Sequence, residues 1–390
     1  MTEQKRCKTK VKPYSCSSVA DVYSETTGAF YSDQFCQTQT SRPHRELKSA
    51  LMSLWFGKRS SVVRAEILLY RMRGLSNDHL SCCVNTLLQT LSATWELADL
   101  LEKWEAVDNS ANSDNVPVQL KRVLAAMRST LPEPAPHRDF LRCLDRNRVR
   151  LYTQHDADEV FLSILNFIQQ QIDDKALAFE IQNLYKISVE THLQCLECSS
   201  VQTQTSYLLS LPVHIREDHN SLEACLTSFF EPQELRDINC CFCAQCGNKT
   251  PSKKGIKLLS LPRILCMHLK RFRNSRGFTQ KLDCSVTFPK TFDFSETVQE
   301  AFSTNFAQDD CTYTLFAVVV HSGTASFGHY TAYVHHRMNQ HWYYANDSHV
   351  KQVSWEDVQT SYGKPHRHTA YMLMYRRGLQ NEEQQPELSG

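Results

Sequence analysis

Apolar residues fall into helical spacing directly after a pair of adjacent cysteines. In the stretch 74–89, GLSNDHLSCCVNTLLQ, Val84, Leu87 and Leu88, followed by Leu91, repeat at i, i+3, i+4 and i+7. The spacing predicts a helix that starts at or just after Cys82 and Cys83 and buries that face. The pattern runs on from Ser81 through Leu97, Leu100, Leu101 and Trp104 and is interrupted by the polar stretch 108–115. Leu120, Val123, Leu124, Met127 and Leu131 predict a second helix, stopped by Pro132, Pro134 and Pro136. Phe161, Ile164, Leu165, Ile168 and Ile172 predict another, beginning near Gln154. Weaker helical spacing at Leu51, Leu54, Trp55, Ile67, Leu68 and Leu69 leads into the first of them.

Beyond that the period shortens. Tyr185, Ile187, Val189 and Leu193 alternate with polar residues, and short apolar runs follow at 207–213 and 264–269. Further strands are predicted over 313–320, 330–334, 342–345 and 370–375. A helical region followed by a mostly β region implies an α+β architecture, without solenoid repeats. Residues 1–50 are rich in Ser, Thr, Gln and Lys, carry a basic cluster at Lys5, Arg6, Lys8, Lys10 and Lys12, and read as a solvated tail. Residues 51–71 read as a helical lead-in, 72–377 as the main domain and 378–390 as a frayed polar end.

Composition narrows the function. Forty-three Lys and Arg against 42 Asp and Glu leave a net charge of +1 over 390 residues, which gives no sign of a general nucleic-acid or membrane binder. No apolar signal segment opens the chain and no run approaches the length of a membrane span, so a soluble, intracellular protein is expected. In that setting, 16 cysteines point to metal binding, a catalytic thiol and ordinary buried thiols rather than to a disulfide framework.

A thiol at a helix start is favoured as thiolate by the unpaired N–H groups there, which makes Cys82 a candidate nucleophile. Taken alone, two small buried side chains explain Cys82 and Cys83 as well. Cys195 and Cys198 form one Cys-x2-Cys pair and Cys243 and Cys246 another, each beside strand-like sequence. That arrangement suits a structural Zn2+ whose four thiolates close the coordination shell, although Cys240 or Cys241 is able to replace a member of the second pair. A cysteine nucleophile needs an imidazole and a group that orients it. In the segment 313–330, YTLFAVVVHSGTASFGHY, a strand runs into a loop carrying Gly323 and Gly328, with His329 at the start of the next strand. The segment 342–348, WYYANDS, brings Asn346 and Asp347 to the end of an adjacent hairpin strand.

Together with QHDADEVF at 154–161 and LPRILCMHLKRF at 261–272, these segments resemble, in order, the boxes of the ubiquitin-specific protease family over about residues 72–377. Within it, LTSFFEPQEL at 226–235, CFCAQCG at 241–247 and VSWEDVQTSYG at 353–363 are most similar to a compact vertebrate member acting on an interferon-induced, two-lobed ubiquitin-like modifier. The resemblance implies a papain-like hand. Its helical thumb would span about 74–180, with zinc-ribbon β fingers and a β palm over about 181–377. It implies that Cys82 attacks the modifier's terminal Gly carbonyl, that His329 relays the proton to the departing lysine amine, that Asn346 orients the ring, and that Asn77 holds the oxyanion. Asp347 would orient His329 or the attacking water. Gln154, Asp156 and Glu159 would bind the modifier, whose unbranched tail would pass a narrow cleft lined by Gly323 and Gly328. No catalytic cofactor is implied.

The chain departs from the family's first box at His79, where a glycine is usual, and at Ser81, where a threonine is usual. Asn346, where aspartate is the alternative, is a neutral orienting group also found in some family members and is expected to stabilise the imidazolium less. Cys83 is the register alternative to Cys82. His155 is expected to shape the cleft, and His268, Lys270 and Arg271 to be structural. The implied partners are the modifier, its lysine-conjugated targets and interferon receptor components, in the cytoplasm and also the nucleus. The competing readings are general ubiquitin deconjugation, to which Glu159 points, and a mainly non-catalytic adaptor that binds the modifier or a receptor complex.

Overall fold

In the computed structural model the described residues are 72–78, 80–105, 113–129, 131, 133–150, 153–275, 277–304, 306, 310–363 and 367–378. The expected tail 1–50, the lead-in 51–71, the end 379–390 and His79 lie outside them. Six helices come first: α1 (Cys82–Ala93), α2 (Trp95–Lys103), α3 (Val116–Met127), α4 (Arg138–Arg146), α5 (Ala157–Gln171) and α6 (Lys175–Tyr185). The helix expected to begin at the cysteine pair does so, with Leu87, Leu88 and Leu91 fully buried.

The pattern from Ser81 to Trp104 is two helices rather than one, because the backbone leaves helical angles at Thr94, with ψ at 77°. The second predicted helix ends at Met127, ahead of the prolines, and Leu131 lies outside it and is exposed. Helix α5 starts after its cap, Asp156, whose carboxylate accepts the backbone N–H groups of Asp158 and Glu159. Two of these six helices gave no sequence signal. Arg138–Arg146 has only Phe140, Leu141, Cys143 and Leu144 inside a charged nonapeptide, too short to show a repeating face. In α6, Ala178, Ile181 and Tyr185 form the buried stripe, so Tyr185 ends a helix, whereas the alternation with Ile187 had put it in a strand.

An eight-stranded sheet follows. Its order is His349–Val353, Trp342–Asn346, Gly328–His335, Thr312–Gly323, His368–Arg377, Ile264–Leu269 and Leu211–Val213, with Thr291–Asp293 added against Thr312–Gly323. The period of two decides what each face packs against. Ala317, Val319, Ala332, Val334 and Met374 turn to the helices. Val318, Val320, Tyr333, Leu373 and Tyr375 turn to a second core that also takes Leu222, Leu226 and Phe230 from the helix Leu222–Phe230. Arg271 is fully buried and donates to the carbonyls of Leu282 and Cys284, and His268 is buried with its Nδ1 2.9 Å from Asp158 Oδ2, as the structural reading expected. A separate four-stranded sheet, ordered Val201–Leu208, Ile187–Cys195, Ser252–Ser260 and Gln233–Leu235, carries the first cysteine motif at the end of Ile187–Cys195, and a two-stranded sheet of Cys241–Cys243 and Asn248–Thr250 carries the second. Helices α1–α6 on one face of a mostly antiparallel sheet, the helix Leu222–Phe230 on the other and a β ribbon carrying the cysteine motifs form the expected α+β hand.

Candidate active site

Three segments distant in sequence meet where α1 abuts the sheet. Cys82, 8 % exposed, is the first residue of α1. His329 follows Gly328 at the start of its strand, and its Nε2 donates to Asn346 Oδ1 at 2.8 Å. The Cys82 side chain neighbours the same imidazole, and its interaction is the main reason the His329 pKa is raised to about 9, against the partial opposition of burial and with further support from Asn346 and the Asp347 charge. With Nε2 committed to Asn346, Nδ1 is the nitrogen left for the sulfur. Cys83, by contrast, is buried, and burial first, then the neighbouring Cys82, pushes its thiol well up.

Asp347 stands behind this pair. Its backbone is left-handed, with φ at 50°, and its Oδ2 is 3.9 Å from His329 Nε2. The shorter contacts run elsewhere: Oδ2 accepts Asn77 Nδ2 and Oδ1 accepts Asn85 Nδ2, each at 2.8 Å, while its carbonyl accepts the Leu75 N–H at 2.9 Å. Asn77 Oδ1 in turn accepts the Ser81 N–H at 3.1 Å. The loop before Cys82 is thus strapped to the turn after Asn346. Gly74 makes the strap possible, since a Cβ there would lie 2.3 Å from the Ser348 carbonyl oxygen. Among the described residues of this loop the left-handed one is Leu80, with φ at 63° and the side chain exposed. One amide hydrogen of Asn77 is held by Asp347, which leaves the other for an oxyanion.

The tail-binding candidates occupy different surroundings. Gln154 forms a two-way amide pair with Gly328, donating to its carbonyl at 3.1 Å and accepting its N–H at 3.2 Å. Gly328 cannot carry a side chain, because a Cβ would meet the His321 ring at 2.0 Å. Gly323 pairs with Gly328 across the hairpin, and its carbonyl accepts Lys281 Nζ at 3.2 Å. Asp156 faces inward, capping α5 and accepting the Tyr371 hydroxyl, whereas Glu159 is exposed. His155 is turned to the Arg150 carbonyl and the Thr153 hydroxyl.

Sequence reasoning missed Asn85 and His137. Asn85 is 2 % exposed, sits one turn after Cys82, and also donates to the Ser76 carbonyl. A buried-helix position taken by an amide, with a second amide four residues on at Gln89, was its available signal. His137 is buried behind the loop, with its ring lowered below the usual histidine range chiefly by burial. Nothing local in the sequence marks it.

At the ribbon tip the sulfurs of Cys195, Cys198, Cys243 and Cys246 lie within 4.8 Å of one another. The close pairs are Cys195 with Cys246 at 3.9 Å and Cys198 with Cys243 at 3.6 Å. Cys240 and Cys241 are not in the group. Four convergent thiols without a carboxylate are the donor set of a closed, soft-ligand site, so the residues fit a metal ion of that kind. No helix among the described residues is long and apolar enough to cross a membrane.

The His329 geometry sets a pH dependence. Its folded pKa of about 9 lies above the free value of 6.5, so between those pH values the folded chain keeps a proton that the unfolded chain has lost. The stabilisation is complete below pH 6.5 and fades as pH rises through 9. Alkylation of Cys82 by iodoacetamide should show an alkaline change near pH 9 from loss of the imidazolium, and Asn346→Ala should move it to lower pH. An unmoved profile in that variant would show that Asn346 does not support the charged ring.

Comparison with known proteins follows the same outline. The family model described as ubiquitin carboxyl-terminal hydrolase matches residues 73–375. The mouse protein named Ubl carboxyl-terminal hydrolase 18 is 36 % identical over 352 residues, 87 % of this chain and 92 % of that protein. Its human namesake is 34 % identical over 313 residues, 77 % of this chain and 84 % of that protein. The Drosophila melanogaster protein named ubiquitin carboxyl-terminal hydrolase 47 is 27 % identical over 382 residues, 78 % of this chain but 24 % of its own length.

Proposed function

Because the chain belongs to the ubiquitin carboxyl-terminal hydrolase family, we propose that it is a thiol isopeptidase that releases a ubiquitin-like modifier from lysines of target proteins, with Cys82, His329 and Asn346 as its catalytic residues. The observation that carries this reading is the meeting of the Cys82 side chain with an imidazole whose other nitrogen is held by Asn346. His329 takes the thiol proton, and the sulfur attacks the carbonyl carbon of the modifier's last glycine. The free amide hydrogen of Asn77 and the N–H groups at the start of α1 receive the oxyanion. Collapse expels the lysine amine, which takes the proton from His329, and water then hydrolyses the thioester with the same imidazole as base.

The modifier we favour is the interferon-induced, two-lobed one. Support comes from the near full-length match to proteins named for a ubiquitin-like (Ubl) substrate, against the partial match to the longer protein named for ubiquitin. The reading extends to a role in restraining interferon signalling, with receptor components as partners, in the cytoplasm and nucleus. Exposed Glu159 favours ubiquitin as the second substrate. The test is labelling with each modifier carrying a thiol-reactive C-terminal group. Rapid labelling by the two-lobed modifier and slow labelling by ubiquitin is expected. The reverse order would overturn the substrate assignment, and tight binding of either modifier without labelling would favour the adaptor reading.

The ribbon site is assigned to one structural Zn2+ per chain, held by Cys195, Cys198, Cys243 and Cys246. Bound there, zinc would crosslink the two knuckles and take no part in the reaction, since four thiolates leave no open position. Elemental analysis should find one zinc per chain, lost in Cys198→Ser with a lower melting temperature. A folded, metal-free wild-type protein would refute it.

A further inference from the structure

Apart from Cys82, a cavity of about 440 Å³ opens between α1, α2, α3 and the end of the His329 strand. That volume lies in the range of small-molecule sites, roughly 300–1,000 Å³. Its walls are mostly apolar and adaptable: Met72, Met127, Met338, Val334, Ala93 and Trp95. Arg337, from the turn after the strand, stacks over Trp95 at 3.9 Å and forms a lip.

Gln89 brings a buried amide into this wall. Gln89 is 2 % exposed, and its Nε2 donates to the Arg73 carbonyl at 2.8 Å, but its Oε1 has no hydrogen-bond donor. A buried amide oxygen left unpaired is costly, and a ligand that donates to it recovers that cost. Other polar wall groups are committed elsewhere. The Arg73 guanidinium donates to the carbonyls of Glu133, Ala126 and Pro134 and to the Ser129 hydroxyl, and Arg128 is paired with Asp99 at 3.0 Å. His335 is held below the usual histidine range chiefly by burial and faces the Gln340 carbonyl. Guanidinium groups of Arg73 and Arg337 at the wall disfavour a cation.

We propose that this cavity binds a small neutral aromatic molecule whose ring N–H donates to Gln89 Oε1 while its ring packs among Met127, Met338 and Trp95. The site is shared by α1, which begins at Cys82, and by the strand that begins beside His329. An occupant would therefore rest against both elements that carry the reacting groups, at the ends remote from them.

The probes are indole and its isostere 1-benzothiophene, which lacks the N–H, titrated into the full zinc-loaded chain and followed by saturation-transfer NMR and calorimetry. Indole is expected to bind about tenfold more tightly than 1-benzothiophene, as one recovered buried hydrogen bond implies. Gln89→Leu should bring the two affinities together. Ala93→Trp, which fills the cavity, should abolish binding of both while leaving modifier-probe labelling of Cys82 intact. Equal affinities in the wild-type protein, absence of binding by both, or binding retained in Ala93→Trp would each overturn the proposal. Should Gln89→Leu fail to fold, the wild-type contrast and Ala93→Trp still decide it.

Discussion

Replacing Cys82 by alanine is expected to reduce turnover of a lysine-linked modifier conjugate to background, a loss of about 10⁴-fold or more, while Cys83→Ala stays within a few-fold of the wild-type rate. The two thiols are neighbours in sequence, yet one residue along a helix turns a side chain by about 100°. Cys82 thereby meets the His329 ring, whereas Cys83 enters the helical core, 3 % exposed, where burial drives its thiol well above the ordinary range. A thiol in that position has neither a base nor a path to a carbonyl carbon. Truncating it removes one buried sulfur, which costs stability and not chemistry. The measurement is conjugate cleavage by each variant, with binding of the unreacted conjugate as a folding control. If Cys83→Ala were the inactive variant, the register of the site would be off by one residue and the proton relay through His329 would need another partner.

Much of this site was legible because each part sits in a local pattern. The helix start at Cys82 follows from the period of Val84, Leu87, Leu88 and Leu91, and the strand Ile264–Leu269 coincides with its apolar run because all six residues are buried. The ribbon was legible from cysteine spacing, since the two knuckles are local turns that need only be brought together. What escaped depends on contacts between segments. Asn85 is a polar residue in an apolar helix until Asp347, 262 positions later, accepts from it. Gln154 reads as a tail-binding residue, and only the folded chain shows that its amide lies on Gly328. Helices α4 and α6 were invisible because short or mixed sequences gain their helicity from packing rather than from a sustained face. The departure at His79 belongs to a loop whose described left-handed residue is Leu80, so the conformational demand falls at least partly beside the substituted position.

Asp347→Ala is expected to lower turnover by about 10²- to 10³-fold, the size of effect seen when an oxyanion donor is lost, although Asp347 is not the nearest group to His329. The distances assign it to the loop. At 3.9 Å from His329 Nε2 its carboxylate is outside hydrogen-bond range, while Asn77 and Asn85 both lie at 2.8 Å. Removing the carboxylate frees the Asn77 amide, which also braces the Ser81 N–H immediately before the nucleophile. The oxyanion donors then lose their fixed direction, and preorganisation is what gives such donors their value. The Cys82 to His329 contact and the Asn346 hydrogen bond remain, so alkylation of Cys82 by iodoacetamide should change by no more than a few-fold, with its alkaline inflection displaced only slightly to lower pH, since the Asp347 charge is the smallest of the influences that raise the His329 pKa. Turnover that falls while thiol reactivity holds identifies Asp347 as a positioning residue of the oxyanion loop. If the inflection instead moved far to lower pH in step with the loss of turnover, Asp347 would be acting on the imidazole itself, sharing the role assigned to Asn346. Asp347→Asn separates the cases further: its carbonyl oxygen still accepts from one of the two asparagines, so partial recovery of turnover is expected from the loop role, whereas loss of the negative charge beside the imidazolium would give no recovery under the other.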